Sequence, residues 1–162
     1  MRIREAVFAD IPLIAAFIRE LAEYERLLDE VTMTEERLAS NLFGERRYAE
    51  TVIAEDEDHQ PLGFALFFHN FSTFLGLPGM YLEDLYVRPA RRGSGVGRAL
   101  LRHVARVALE RGCGRLEWSV LDWNQSAISF YMGLGARSSS EWTGYRLHGK
   151  ALERLAGESE QG

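Results

Sequence analysis

The chain has 162 residues, 46% of them hydrophobic and 27% charged, which fits one globular domain over residues 1–162 with a real core. A formal net charge of -5 argues against nucleic-acid partners, which need a basic face, and leaves room for a cationic small substrate. The single cysteine, Cys113, excludes an internal disulfide and fits a reducing, cytoplasmic compartment.

No apolar run approaches the roughly 20 residues needed to cross a bilayer, so no membrane association is expected. The start, MRIREAVFAD, is interrupted by charges too early to serve as a signal peptide.

Residues 2–7 alternate and predict a first strand. Asp10 reads as an N-cap, with Pro12 tolerated in the first turn of a helix reaching about Tyr24 on Leu13, Ile14, Phe17, Ile18 and Leu21. Thr34 opens a short second helix to about Phe43. Tyr48–Glu55 and Leu62–Phe71 read as strands, and Phe71–Gly79 as a loop.

Tyr81–Arg111 reads as strand, glycine loop and amphipathic helix, with Gly112 as its C-cap. Arg115–Leu121 is a further strand. Asn124 caps a helix from Gln125 to Gly133. The tail predicts strands at Ser138–Trp142 and Gly144–Leu147, then a short helix in ALERLAG. The order β-α-α-β-β-β-α-β-α-β-β gives a mixed α/β fold.

The loop after the Tyr81 strand carries Arg91, Arg92, Gly93, Ser94, Gly95, Val96, Gly97 and Arg98. Strand, glycine loop and helix in this order make an anion cradle, because backbone N–H groups and the helix dipole converge there. It is not a P-loop, which needs Lys-Ser/Thr after its last glycine, and it lacks the third glycine of a dinucleotide fingerprint. What remains is R-x-x-G-x-G, on Arg92, Gly95 and Gly97.

That motif resembles the pyrophosphate-binding segment of the GCN5-related N-acetyltransferases (GNAT), which use acetyl-CoA. Y-L-E-D-L-Y-V before it and L-D-W-N-Q-S-A-I-S-F-Y-M-G-L-G-A after it resemble the spermidine/spermine and thialysine acetyltransferase branch. So do E-L-A-E-Y-E, T-E-E-R-L and the tail G-Y-R-L-H-G-K-A-L-E-R-L-A. The resemblance covers nearly the whole chain in order and is closer to the thialysine-type members. It implies a GNAT acyl-CoA N-acyltransferase fold with a V-shaped mixed sheet, acetyl-CoA as cosubstrate, a small cationic amine as acceptor, and a homodimer.

Site residues follow from the same resemblance. Leu85, Tyr86 and Val87 would offer backbone groups to the pantetheine arm, and the loop from Arg92 through Gly93, Ser94, Gly95, Val96 and Gly97 to Arg98 would hold the pyrophosphate. Asn124, Ser126 and Ala127 match further CoA contacts, and Asn124 is an equally good plain N-cap. Tyr24, Glu25, Glu117, Trp118 and Ser119 match acceptor contacts.

Tyr131 matches the acid that protonates the leaving thiolate. With a pKa of about 10 against roughly 8.5 for a thiol it suits that task. Spacing alone would leave Tyr131 an amphipathic-helix residue with a packed ring and wet hydroxyl. Glu83 matches the base at the amine, acting through a water. Read by strict alternation, Glu83 shares a face with Tyr81 and Leu85, and Asp84 lies opposite with Leu82 and Tyr86. The four histidines and one cysteine share no metal-ligand spacing, so no metal is expected. Two alternatives stand beside this reading: a protein or peptide acetyltransferase, which would want an open groove where the Phe71–Gly79 loop and the Tyr24 helix could close over a small substrate, and a non-catalytic acyl-CoA-binding module, which would need neither Glu83 nor Tyr131.

Overall fold

Strand β2 (Glu50–Glu55) is buried at five consecutive positions, so both of its faces are covered. The computed structural model describes residues 1–139 and 141–157. Contacts divide the chain into two compact units, Met1–Leu121 and Asp122–Gly162.

The first unit holds a five-stranded sheet in the order β1-β2-β3-β4-β5. Its other strands are β1 (Arg2–Glu5), β3 (Pro61–Ser72), β4 (Leu77–Val87) and β5 (Leu116–Trp118). Neighbours are antiparallel except β4 and β5, which are parallel.

One face carries α1 (Ile11–Tyr24) and α2 (Glu35–Phe43). Ile14, Phe17 and Leu21 of α1 and Leu42 of α2 pack there on Ile53, Phe64, Leu66 and Tyr86. Phe17 is fully buried, and its ring stacks on Phe64 at 5.2 Å. The other face receives α3 (Val96–Glu110), whose buried Val96, Leu100, Leu101, Val104 and Ala108 recur at helical spacing. That face buries the alternate strand residues Val52, Ala54, Ala65 and Phe67.

Several local expectations are met. Thr34 Oγ1 accepts the Arg37 N–H at 3.2 Å as an N-cap, and Gly112 adopts φ 74° just past α3. Asp10 precedes α1, but its carboxylate does not cap that helix. It accepts instead from the Val7 N–H at 2.8 Å and from Arg4 at 2.7 and 2.9 Å, tying the start of α1 to β1.

Other expectations for the sheet fail. The segment Phe71–Gly79 is not a loop: β3 runs to Ser72 and β4 starts at Leu77, so only residues 73–76 turn. Asn, Ser, Gly and Pro read as loop residues there, but cross-strand pairing of Asn70 with Gly79 and Phe71 with Pro78 overrides local propensity. A Cβ at Gly79 would press on Asn70 Oδ1, so any larger residue there would require the Asn70 side chain to shift. Strand β5 is also shorter than expected, three residues against seven.

The second unit contains α4 (Gln125–Met132) and α5 (Gly149–Gly157). Asn124 Oδ1 accepts the Ala127 N–H at 3.3 Å, so it caps α4 as expected. Ser140, inside the expected strand Ser138–Trp142, lies outside the described residues. The rest of that segment and Gly144–Leu147 form no strand. Trp142 and Tyr145 are 81% and 96% exposed, and alternation without a paired neighbour does not make a strand.

Removing the Phe17 ring is expected to cost about 3–5 kcal/mol of stability, because a fully buried aromatic leaves a cavity. Arg102, exposed on α3, is expected to change stability by at most about 0.5 kcal/mol when truncated. Urea unfolding of Phe17→Ala and Arg102→Ala checks both, and comparable losses would contradict this core assignment.

Candidate active site

The end of β4 has one edge with no strand beside it. β5 pairs only with Met80, Leu82 and the residue between them, so Glu83 to Val87 meet no neighbouring strand on that side among the described residues. The backbone groups of Leu85, Tyr86 and Val87 therefore lie along an edge able to take an extended ligand arm. On the opposite edge the chain packs so tightly that Gly63 is required: a Cβ there would stand 2.2 Å from the Tyr86 carbonyl oxygen.

The register also slips here. Leu82 faces Phe67 and Asp84 faces Leu66, which leaves Glu83 as the extra residue of a β-bulge. Cross-strand partners share a face. Leu82 thus lies on the α3 face with Phe67, whereas Asp84 and Tyr86 lie on the α1 face with Leu66 and Phe64. Strict alternation, which put Asp84 on one face with Leu82, is corrected by this one inserted residue.

Two other carboxylates, Glu83 and Glu25, act on Asp84 here. Asp84 is half-buried, and its carboxyl is pushed up to about 7 by burial first, then by Glu83, then by Glu25. Burial also raises Glu25, which follows the last residue of α1. Glu83 itself is exposed. The family resemblance points to Glu83 and Glu25 and not to Asp84. Its only signal was adjacency to Glu83, since a bulge is set by pairing and not by composition.

After β4, Pro89–Arg91 make one 3-10 turn and the glycine loop leads into α3. Gly93 and Gly95 adopt φ 77° and 86°, a region that side chains rarely enter. Gly97 has no such φ, and a Cβ there would meet only Val87 Cγ2 at an ordinary 3.6 Å. The fold itself does not demand glycine at that position, which leaves close approach of a ligand as the physical reason for one.

The helix starts at Val96, so the N–H groups of Val96, Gly97 and Arg98 have no acceptor within it. The Ser94 hydroxyl donates to the Arg91 carbonyl at 2.6 Å and closes the turn. Arg91 reaches Asp56 at 3.2 Å. The Arg92 Nε donates to the Val87 carbonyl at 3.0 Å, with its guanidinium 4.3 Å from the ring centre of Tyr24. These residues fit an anionic cosubstrate: glycines where a backbone must come close, free helix-start amides, and arginines around them.

Of the other expected acceptor residues, Glu117 and Ser119 are anchored where β5 ends. Glu117 Oε1 accepts from Arg115 at 2.7 Å and from Asn70 at 3.2 Å, while the Ser119 hydroxyl is 2.8 Å from the Tyr81 hydroxyl. Trp118 is half-buried on β5. In the second unit, Asn124 is buried at the start of α4, with Ser126 and Ala127 both bonded to its Oδ1. Tyr131 lies near the end of α4, half-buried, with its ring 5.3 Å from that of Phe130. No group of three or more His, Cys, Asp or Glu able to hold a metal exists among the described residues, and none of their helices is long and apolar enough to cross a membrane.

Comparisons with known proteins bear on the same elements. The model of the acetyltransferase (GNAT) family matches residues 14–136. The thialysine N-epsilon-acetyltransferase of Bos taurus is 42% identical over 165 residues, covering 96% of each chain. The L-ornithine N5-acetyltransferase NATA1 of Arabidopsis thaliana is 33% identical, covering 95% of this chain and 87% of that one. Among solved structures, an integron cassette protein from the mobile metagenome of V. cholerae matches with a TM-score of 0.79 and 30% identity, over 97% of this chain and 98% of that chain. The expected fold and family therefore hold, and this chain, an N-acetyltransferase, belongs to the GNAT family, on the branch that its motifs resemble.

Proposed function

We propose that residues 1–162 act as one acetyl-CoA-dependent N-acetyltransferase domain, moving acetyl to the primary amine of a small cationic metabolite. The acceptor class is a diamine or a lysine analogue. The observation that carries this reading is the juxtaposition at the end of β4. An unpaired strand edge and a glycine loop suited to an anion stand beside a carboxylate group suited to a cation. The names of the thialysine and ornithine relatives favour an amino acid with a side-chain amine.

When bound, acetyl-CoA supplies an activated acetyl thioester. Leu85, Tyr86 and Val87 align the pantetheine arm through backbone groups. The loop from Arg92 to Arg98 holds the pyrophosphate, with Asn124, Ser126 and Ala127 as further contacts. Glu25 and Tyr24, with Glu117, Trp118 and Ser119, receive the acceptor. An amine near its ordinary pKa of about 10.4 is protonated and must lose a proton before it attacks. Glu83 takes that proton through a water, and Tyr131 gives one to the departing sulfur. Asp84 is a second reading for the base, because its carboxyl near 7 accepts a proton more readily than an ordinary carboxylate.

A protein acetyltransferase is less well supported, since the thialysine and ornithine relatives, which match nearly the whole chain, are named for small amino acids. A non-catalytic sensor would have no use for a proton donor or acceptor. The family resemblance supports a cytoplasmic homodimer, for which light scattering on the purified protein is the direct check.

Tyr131→Phe is expected to lower kcat by about 10²–10⁴-fold with little change in acetyl-CoA binding, as loss of a general acid does. An unchanged kcat would remove Tyr131 from the mechanism.

The two carboxylates separate by pH. If Glu83 is the base, Glu83→Gln abolishes the acidic limb of kcat/KM and Asp84→Asn only shifts it. The reverse pattern assigns the role to Asp84. Asp84 also gives a stability signature. Its folded value near 7 exceeds the unfolded 3.8, so the native state binds the proton more tightly. Stability should fall as pH rises through that window, by up to about 1.4 kcal/mol per unit. Asp84→Asn should flatten this decline, and an unchanged slope in thermal melts would contradict the raised value.

A further inference from the structure

We propose that Arg115 and Glu117 read an α-amino-acid head at the acceptor site. Arg115 receives the α-carboxylate and Glu117 the α-ammonium, so the acceptor is an amino acid with a side-chain amine and not a diamine. This rests on the reading above, in which the acceptor lies against β4 and β5.

Both residues stand on the sheet face that carries Asp84. β3 alternates from Leu66, which faces α1, through Phe68 to Asn70. Phe68 pairs with Tyr81 and Asn70 with Gly79, while Glu117 pairs with Tyr81 from the other side. Such partners share a face. The contacts agree, since Asn70 donates to Glu117 at 3.2 Å and the Tyr81 hydroxyl is 2.8 Å from that of Ser119. Arg115 joins them through its ion pair with Glu117 at 2.7 Å, and its Cγ lies 3.5 Å from where a Cβ on Gly79 would stand.

The pair leaves its outer atoms unused. Both contacts to Glu117 end on Oε1, and Arg115 uses Nε. Neither Glu117 Oε2 nor the terminal nitrogens of Arg115 meet a partner among the described residues. The two side chains are 43% and 40% exposed, so a ligand can reach these atoms. An exposed ion pair contributes little to stability by itself. Its adjacent opposite charges do complement those of a zwitterionic head, and an arginine fork suits a carboxylate.

The same face suits the rest of such a molecule. Glu117 is opposite Tyr81, three residues before Asp84, roughly 10 Å along a strand. With a hydrogen bond of about 3 Å at each end, that span fits an amino acid of ornithine or lysine length held by its two ends. Between them the half-buried rings of Phe68 and Tyr81, 5.3 Å apart, give an apolar floor for methylenes or a thioether. Glu25, Glu83 and Asp84 favour the amine and would repel an α-carboxylate. Arg115 supplies the opposite charge at the far end, where a diamine would meet it with like charge.

Matched acceptors separate these charges. Calorimetry on CoA-saturated protein compares thialysine and ornithine with the diamines left when each loses its carboxylate. Wild type is expected to bind the amino acids at least about tenfold more tightly, as a charge-assisted fork would give. Arg115→Met is expected to weaken both amino acids about tenfold and leave the diamines unchanged or tighter. Arg115→Lys keeps the charge without the fork and should recover only part of the loss. Glu117→Gln should weaken thialysine and ornithine too. Acetyl-CoA affinity should stay within about twofold throughout, because its contacts lie elsewhere.

Equal losses for an amino acid and its diamine in Arg115→Met would mark a purely structural role and overturn the proposal. So would a wild type that binds the diamines as tightly as the amino acids, or that binds neither class. Thiol release is followed on the same proteins with acetyl-CoA in place of CoA. An Arg115-dependent preference without thiol release counts against the acetyltransferase reading and supports this subsite. Thiol release without that preference does the reverse.

Discussion

The arrangement depends on β4 losing its partner on one side beyond Leu82. β5 runs parallel to it for three residues only, and from Glu83 onward that edge faces no strand among the described residues. Buried backbone groups need hydrogen-bond partners, so such an edge is tolerable only where water or a ligand can supply them. The bulge at Glu83 falls at the same place and turns Asp84 toward α1. One short strand and one extra residue thereby create an open backbone edge and move a carboxylate beside it.

This placement carries a cost that favours a particular ligand. Burial raises proton affinity at Asp84 and Glu25, and the charges of Glu83 and Glu25 raise it further at Asp84, which means that the charged forms are disfavoured in the protein alone. A cationic amine offsets that cost, whereas an anion would add to it. On the far side of the loop the charges reverse, with Arg91, Arg92 and Arg98 near the start of α3. The acidic overall composition therefore coexists with a local cradle for an anion.

Much of the fold was legible because it rests on periodicity. The apolar spacing of α1 and α3 survives into the structure, and the Thr34 and Asn124 caps follow from side chains that can bond a backbone amide. The glycine loop was legible too, since glycine is the residue that readily admits the left-handed backbone that Gly93 and Gly95 adopt. What escaped was decided by pairing between distant segments. The hairpin across Phe71–Gly79 and the missing tail strands both depend on neighbours that no local pattern specifies. The bulge that reassigns Asp84 belongs to the same class, as does the stacking of Arg92 on Tyr24, 68 positions apart in sequence.

The most direct test of the central claim is product analysis. Purified protein is mixed with acetyl-CoA and a panel of thialysine, ornithine, lysine and short diamines, and both free thiol and the acceptor's mass are followed. The account predicts thiol release matched one for one by a singly acetylated amine, for at least one small cationic acceptor. Tight acetyl-CoA binding with neither thiol release nor an acetylated acceptor across the panel would contradict it.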